Sequence, residues 1–509
     1  MKILFINVCL RKGAKVKILP VGLASVMTYS NEIGGYAFDL LDIDINEYSD
    51  EYVEDFIKNS NYDVILYGSI VTHYKWIKWI TQTIKKYKPA TKIVVGNSVA
   101  SSCYEVFLNN VPADVVVMGE GEITCLEVLK AFENNTSLDQ IEGISFKRNG
   151  EIVKTPKRKA AKLTEFPMVN WDFFDVKRYN EKAKNGANAI KDIDEVVIMP
   201  ITTARGCVRR CTFCHFVFWD DPYRIRKPEE IMVEIKRDIE KYGANLFNFW
   251  DDLSFASMKQ TERLCDAILE SGLKFNWNAA VRTDLFGDPR FTFEEKLRVA
   301  NKMKEAGCIS VNFSLESGDE EILKMMEKEV KLEYFAEQIR VLRAAGIISS
   351  TSVVFGYPIE TKETIRKTFQ MCLENKLYPS IGYLLPLPYT GMYQYAKDNG
   401  FITDEDRYLT DITERQDFCL NMTKMTTDEI QDEILAGAKM LNLHLNLGLD
   451  ESRLIKNGSS RNITEKQKVA AGEDEVEEDG FDKIKRNEND FSFNYSQINF
   501  DEQGEDLAC

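Results

Sequence analysis

Three cysteines stand close together in TARGCVRRCTFCHFVFW, residues 203–219, at a C-x3-C-x2-C spacing. Thiolate sulfur binds zinc and iron–sulfur clusters, and a tetrahedral metal site takes four ligands. The trio Cys207, Cys211 and Cys214 therefore predicts a metal centre with one place that these cysteines do not fill.

Three interpretations of the trio compete. A zinc site would take His215 as its fourth ligand, but His215 directly follows Cys214, which makes joint tetrahedral coordination awkward. Structural thiols or a disulfide are the second interpretation, and disulfides are rare in the cytoplasm. The third is an iron–sulfur cluster, which normally has four thiolates. Three ligands from one loop would leave one iron open, as a reactive centre needs, and we favour this interpretation.

Composition limits the setting of this centre. The chain has 509 residues, a formal charge of -16 and 44% hydrophobic residues, which indicates more than one soluble, globular domain. The negative charge argues against a general affinity for nucleic acid or anionic membrane. The sequence shows no secretion signal and no apolar run long enough to span a membrane, so we expect a cytoplasmic protein.

Residues 1–135 alternate buried-type strands with helix-like segments, the pattern of a parallel sheet covered on both faces. We expect strands at 2–8, 37–44, 62–71, 92–98 and 113–119. The Asn149-Gly150 pair predicts a hairpin within 144–155. From residue 195 a longer strand–helix repeat predicts a parallel barrel or partial barrel, whose chemistry lies at the strand carboxyl ends. Its expected strands are 195–202, 245–252, 275–282, 309–317, 348–358 and 379–388.

The fold class is therefore α/β, with a doubly wound parallel sheet, then a partial (β/α)6 barrel and a helical region. The expected divisions are a doubly wound domain at 1–143, a hairpin and linker at 144–190, the barrel at 191–398, a helical region at 399–449 and an acidic, disordered tail at 450–509.

The cysteine motif, with Phe213 as its aromatic residue and Arg205-Gly206 before it, resembles the signature of radical S-adenosylmethionine enzymes. The resemblance implies a 4Fe-4S cluster held by the three cysteines. Its open iron would bind the amino and carboxylate groups of S-adenosylmethionine. One electron would then cleave that molecule to methionine and a 5′-deoxyadenosyl radical, and Phe213 would pack beside the cluster and the adenine.

Further residues match the family at successive strand ends, and the resemblance implies that they contact S-adenosylmethionine. An N-cap role for the aspartates and a surface ion pair for the arginine are alternatives to this interpretation. Tyr389 or Tyr393 would line the substrate cavity or pack structurally. The implied S-adenosylmethionine contacts are Asp251, Asp252, Arg282, Ser314, Glu316, Gly356 and Glu360.

The first domain resembles the cobalamin-binding branch of the same superfamily, through PVGLASVMTYSNEIGGYAFDLLDID (20–44) and MGEGE (118–122). The chain departs from the family in having no D-x-H-x-x-G motif and in having Asn97 where a second glycine is usual. The two glutamates of MGEGE have a second interpretation as caps of the following helix. The implied cobalamin contacts are Gly22, Ser69, His73, Gly96, Gly119, Glu120 and Gly121.

The resemblance implies a cobalamin-dependent methyltransferase that acts on an unactivated carbon, with methylcobalamin as methyl donor and a second S-adenosylmethionine to remethylate the cobalt. Its substrate would be a small molecule or peptide, and its electron donor a flavodoxin or ferredoxin. Alternatives are radical cyclisation or rearrangement, including that of a tetrapyrrole, and a non-catalytic cobalamin or redox sensor. Methylthio transfer is disfavoured, because Cys9, Cys103 and Cys125 do not lie in the expected motifs.

Overall fold

The computed structural model describes residues 1–14, 16–184, 195–214 and 221–455. His215 and the predicted acidic tail from residue 456 onward lie outside the described residues. Within them, none of the helices has the length and apolar character that crossing a membrane requires.

A seven-stranded sheet forms the N-terminal part, in the order β2-β1-β3-β4-β5-β6-β7. The first five strands pair in parallel, and β6 and β7 extend the sheet as an antiparallel hairpin. Asn149 and Gly150 both have positive φ in its turn, as the sequence predicts. The strands are β1 (Ile3–Asn7), β2 (Asp39–Asp42), β3 (Val64–Gly68), β4 (Lys92–Gly96), β5 (Val115–Val117), β6 (Ile144–Arg148) and β7 (Glu151–Lys154).

Helices cover both faces of this sheet because successive strand residues point to opposite sides. Ile3 and Phe5 belong to one buried cluster, and Leu4 and Ile6 belong to another. The doubly wound arrangement predicted from the sequence is confirmed. The helices are α1 (Val21–Glu32), α2 (Ile43–Asn46), α3 (Asp50–Asn59), α4 (Tyr74–Tyr87), α5 (Ser98–Ser101), α6 (Tyr104–Asn110) and α7 (Gly121–Asn134), followed by α8 (Val176–Ala183) in the linker.

Parallel strands taken in chain order form the second unit. Five pair as β8-β11-β12-β13-β14, β15 pairs with β16, and a bridge between Glu316 and Val353 connects the two sets. Among the described residues no ladder joins β16 to β8, so the barrel is open. The strands are β8 (Ile198–Ile201), β9 (Ala204–Arg205), β10 (Arg224–Ile225), β11 (Leu246–Phe249), β12 (Asn276–Ala280), β13 (Cys308–Asn312), β14 (Ile348–Ser350), β15 (Ser352–Phe355) and β16 (Ser380–Tyr383).

Amphipathic helices cover the outside of these strands, and helix α17 packs on α14. The buried cluster of the barrel is continuous with one face of the first sheet and includes Trp171 and Phe174 of the linker. The helices are α9 (Pro228–Tyr242), α10 (Met258–Ser271), α11 (Phe293–Glu305), α12 (Glu320–Met325), α13 (Leu332–Ala344), α14 (Lys362–Glu374), α15 (Gly391–Asp398), α16 (Glu405–Asp411) and α17 (Thr427–His444).

Candidate active site

The three cysteines lie in a loop that a short ribbon closes at its base. Strands β9 and β10 pair antiparallel, and the loop between them begins with Gly206 at φ +83°. Thr212 fixes the middle of the loop, since its N–H donates to the Met326 carbonyl at 2.9 Å and its carbonyl accepts from the Met392 N–H at 2.9 Å. Backbone bonds to the residues that follow helix α12 and begin helix α15 therefore set the position of the cysteines.

Burial disfavours ionisation of two of these thiols, those of Cys211 and Cys214. It raises the pKa of the Cys214 thiol to about 12 and also raises the pKa of Cys211, where nearby Lys328 and Arg209 act in the opposite direction. Thiolates at these positions need a bound cation, as metal ligands do. In the described ranges, no three His, Cys, Asp or Glu side chains form a group that would hold one metal ion.

The predicted aspartates at the end of β11 face the chain just before the cysteine loop. Asp251 Oδ1 accepts from the Thr203 N–H at 2.8 Å and the Ala204 N–H at 3.0 Å, and Oδ2 accepts from the Thr203 hydroxyl at 2.6 Å. Burial raises the pKa of Asp251 to about 6, although these hydrogen bonds oppose the shift. Burial also raises the pKa of Asp252, which accepts from the Gly206 N–H. Both carboxylates therefore hold the base of the loop.

Glu316 offers a buried acceptor beside the cysteines. It is 6% exposed and has φ +64°, and its Oε1 accepts from Lys328 Nζ at 2.8 Å. Its Oε2 is buried and has no hydrogen-bond partner among the described residues. The nearby Ser314 hydroxyl accepts from Ser352 at 2.8 Å. An unpaired buried carboxylate oxygen is costly unless a ligand donates to it.

Gly356 and Glu360 form a tight turn after β15. Gly356 has φ +100°, and a Cβ there would stand 3.1 Å from the Phe418 ring, so two constraints favour glycine. Glu360 accepts from the Gly356 N–H at 3.3 Å, and burial raises its pKa to about 7. Phe213, in the cysteine loop, meets the Tyr357 ring edge-on with centroids 6.3 Å apart.

Arg282 pairs with Asp284, its Nε donating to Oδ1 at 2.7 Å. The same carboxylate lies 3.6 Å from Arg209 of the cysteine loop. Arg282 therefore lies near the cysteine loop, because the Asp284 carboxylate contacts both Arg282 and Arg209.

The predicted cobalamin residues gather at the carboxyl ends of the first sheet, the edge at which open parallel sheets bind ligands. Gly22 and Gly119 have open space where a Cβ would stand, whereas a Cβ on Gly121 would stand 3.0 Å from Val26. Gly96 ends β4, and its carbonyl oxygen packs closely against Gly68 of the neighbouring strand. A Cβ on Gly68 would stand 2.7 Å from that oxygen, so only glycine fits at position 68.

His73 is held as a neutral ring. Its Nδ1 lies 3.1 Å from the Ser69 hydroxyl, and its ring stacks on Trp76 with centroids 5.2 Å apart. Burial lowers its pKa to about 4, so the imidazole is uncharged at neutral pH.

Asn97 occupies a backbone conformation that is almost reserved for glycine, at φ +63° and ψ -176°. Its side chain accepts from the Ser98 N–H at 2.6 Å. Asn97 therefore has the backbone conformation of the glycine that is usual at this position, although it carries a side chain.

Glu120 and Glu122 both meet arginines of the ribbon. The Glu120 side chain makes no capping hydrogen bond to α7, whereas Glu122 lies in the first turn of that helix and also accepts from its own backbone N–H. Glu120 Oε1 accepts from Arg205 at 2.9 Å and from Arg224 at 2.7 Å, and Glu122 accepts from Arg205 at 2.6 Å. Arg224 and Lys328 are not among the residues predicted from the sequence. No local signal marks them, because each is defined by a partner on another element.

Two domain families match the chain over the parts that carry these features. Residues 9–129 match the B12 binding domain, and residues 201–372 match the Radical SAM superfamily. The chain carries a B12-binding domain and a radical SAM domain. The radical SAM domain implies a 4Fe-4S cluster and S-adenosylmethionine as cofactors, and the B12-binding domain implies cobalamin. The radical SAM domain makes the chain an enzyme.

The relatives of this chain are distant in sequence. An uncharacterized methyltransferase of Pyrococcus horikoshii is 25% identical over 75% of this chain and 79% of its own length. The anaerobic magnesium-protoporphyrin IX monomethyl ester cyclase of Cereibacter sphaeroides is 27% identical over 62% of this chain. The aligned part spans only 50% of that cyclase.

A solved structure shares the fold of this chain. It is TsrM from Kitasatospora setae, a radical S-adenosylmethionine methyltransferase with cobalamin and a 4Fe-4S cluster bound. The TM-score is 0.61 at 18% identity, over 79% of this chain and 75% of TsrM.

Proposed function

We propose that this enzyme transfers a methyl group from cobalamin to an unactivated carbon of a small molecule or peptide. The observation that carries the proposal is the direct contact between the end of β5 and the base of the cysteine loop, through Glu120 and Arg205 at 2.9 Å. Two cofactor-binding edges that meet in this way suit a reaction that uses both cofactors. The methyltransferase name of the Pyrococcus horikoshii relative supports methyl transfer.

The residues present fit the cofactors. Cys207, Cys211 and Cys214 would hold three irons of the cluster, and their partly buried setting in one loop suits thiolates that are stabilised by metal. The open space at Gly22 and Gly119 suits a bulky ligand against the backbone of the first domain.

When bound, the cluster supplies the electron that cleaves S-adenosylmethionine, and cobalamin supplies the methyl group. The protein positions these groups. Asp251 and Asp252 fix the backbone of residues 203–206 and thereby the first cysteine. We assign the free Oε2 of Glu316 to a hydroxyl or ammonium donor of S-adenosylmethionine. Lys328 holds the other oxygen of Glu316 and so fixes the direction of that acceptor.

Cyclisation or rearrangement is the second candidate, because the Cereibacter sphaeroides relative is named a cyclase. Anaerobically reconstituted protein, loaded with reduced cobalamin and given dithionite and methyl-labelled S-adenosylmethionine, separates the two. Methyl transfer predicts labelled methylcobalamin and S-adenosylhomocysteine. Formation of 5′-deoxyadenosine with no label on cobalamin would favour cyclisation or rearrangement, and neither product from fully loaded protein would favour a sensor.

An electron donor of the flavodoxin or ferredoxin type is part of this proposal. Replacing dithionite with reduced flavodoxin in the same assay should sustain 5′-deoxyadenosine formation. Failure with both flavodoxin and ferredoxin, alongside activity with dithionite, would contradict this part.

A further inference from the structure

Four charged side chains join the first domain to the cysteine loop, and we call them the Glu–Arg bridge: Glu120, Glu122, Arg205 and Arg224. Besides its contact with Arg205, Glu120 binds Arg224 through both oxygens, at 2.7 and 3.1 Å. Glu122 also accepts from the Ser25 hydroxyl at 2.7 Å. The bridge therefore includes helices α1 and α7 on one side and the β9–β10 ribbon on the other.

The bridge is buried and balanced in charge. The side chains of Glu120 and Glu122 are 8% and 5% exposed, and those of Arg205 and Arg224 are 17% and 13% exposed. Two carboxylates face two guanidinium groups, and the Phe166 ring lies 4.6 Å from the Arg205 guanidinium carbon. Buried ion pairs are a poor means of gaining stability but fix geometry, since alternatives leave a charge unpaired in the interior.

The Glu–Arg bridge lies between the cysteine loop and the carboxyl end of β5. Arg205 and Arg224 pair with each other across the ribbon, and Gly206 and Cys207 directly follow Arg205. On the other side, Glu120 directly precedes α7, at the carboxyl end of β5, the sheet edge at which we place cobalamin. The bridge thus connects the proposed cobalamin edge to the first cysteine within a few bonds.

We propose that the Glu–Arg bridge sets the distance between the cluster loop and the cobalamin bound by the first domain. Glu122, Arg205 and Arg224 act as positioning residues. So does Glu120, and in this proposal that role replaces the cobalamin contact that the family resemblance implies, because both of its carboxylate oxygens already accept from arginines. This inference rests on the proposed function, because it assumes that both cofactors are bound. Small displacements of reacting groups reduce rates steeply, so coupling between the cofactors depends on the bridge.

The test measures geometry rather than turnover. Cob(II)alamin and the reduced cluster are both paramagnetic, and the reduced cluster speeds the electron-spin relaxation of cob(II)alamin by an amount that falls with distance. We expect clear enhancement in wild-type protein and a loss of enhancement in Glu120→Gln, with iron and cobalamin contents unchanged. Glu133→Gln is the matched control, because Glu133 is a carboxylate on α7 that accepts from Tyr36 at the surface.

A second variant guards against simple misfolding. Glu120→Gln with Arg224→Gln removes one charge of each sign and leaves no unpaired ion in the bridge. It should also bind both cofactors and lose the enhancement. Unchanged enhancement in both variants would overturn the inference. So would failure of both variants to bind the cofactors while Glu133→Gln binds them, since the bridge would then serve folding. Wild-type protein that takes up no cobalamin would instead refute the proposed function.

Discussion

At the scale of single residues, the candidate site contains carboxylates whose environment opposes ionisation. Glu360 is the clearest, because it is 2% exposed and accepts from the Gly356 N–H and the Thr364 hydroxyl, which carry no positive charge. Asp251 is similar, with three neutral hydrogen bonds from Thr203 and Ala204. Such buried carboxyl groups fix backbone turns, and their contribution to the free energy of unfolding depends on pH.

Glu360→Gln should therefore become more stable relative to wild type as pH rises. The pKa of Glu360 rises from 4.5 to about 7 on folding, so its favourable contribution is present at low pH and is lost as pH increases through this range. Gln cannot ionise and keeps an acceptor for the Gly356 N–H. We expect a relative gain of about 1–3 kcal/mol between pH 5 and pH 8. Differences in Tm at these two pH values check the direction, and a pH-independent difference would contradict it.

Asn97 gives a second prediction at this scale. Asn97→Gly should stabilise the protein by about 1 kcal/mol, because it relieves a backbone conformation that favours glycine. Asn97→Ala should destabilise it by about 1 kcal/mol, because it keeps the strain and removes the acceptor for the Ser98 N–H. Thermal unfolding of the two variants gives the comparison. An alanine variant as stable as the glycine variant would show that backbone strain is not the cause.

Sequence reasoning at this scale depends on local spacing. The cysteine trio and Phe213 are visible because a single loop carries them. The partnership of Glu120 with Arg205 joins residues 85 positions apart, and nothing local to either one indicates the other. The sequence therefore does not indicate Arg224, and it suggests Glu120, Asp251 and Asp252 as cofactor contacts rather than as residues that hold the loop in place.

At the scale of elements, helix α17 secures the outside of the barrel against α14, which follows the Gly356 turn. Gly437 lies in this contact, and a Cβ added there would overlap the Phe369 ring. Close packing of this kind depends on glycine although glycine weakens helices.

Gly437→Ala should therefore lower Tm despite the better helix propensity of alanine. Propensity alone would stabilise by about 1 kcal/mol, whereas overpacking costs about 1–3 kcal/mol. Asp432→Ala, an exposed change on the same helix, should leave Tm unchanged or slightly higher. A higher Tm for Gly437→Ala would mean that the contact with Phe369 relaxes freely.

Strand periodicity predicted most elements but not their pairing. The apolar run 348–358 predicts one strand, whereas the structure divides it into β14 and β15 around Thr351, whose hydroxyl accepts from the Leu315 N–H at 3.0 Å. The edge of β16 is covered by a later segment, since the Tyr383 N–H donates to the Arg415 carbonyl at 2.6 Å. Hydrophobic periodicity indicates which residues are buried, but it does not indicate which strand pairs with which.

At the scale of the whole molecule, the two units contact each other on more than one side. The Glu–Arg bridge joins them at the cysteine loop, and Arg11 meets Glu414 at 2.6 Å. Asp406 accepts from Tyr74 and Lys78, each at 2.7 Å. The continuous buried cluster through the linker adds to these contacts. The fold class follows from the sequence, but these contacts depend on the folded chain.

The central claim is that the cysteine loop holds an iron–sulfur cluster with one iron open to S-adenosylmethionine. The direct measurement is 5′-deoxyadenosine formation by anaerobically reconstituted protein with dithionite and S-adenosylmethionine. Cys419→Ala is the control, because Cys419 is a free, partly exposed thiol outside the loop. We predict 5′-deoxyadenosine and methionine from wild type and Cys419→Ala, and neither product from Cys211→Ala. Wild-type activity in Cys211→Ala, or zinc in place of iron in the purified wild-type protein, would contradict the claim.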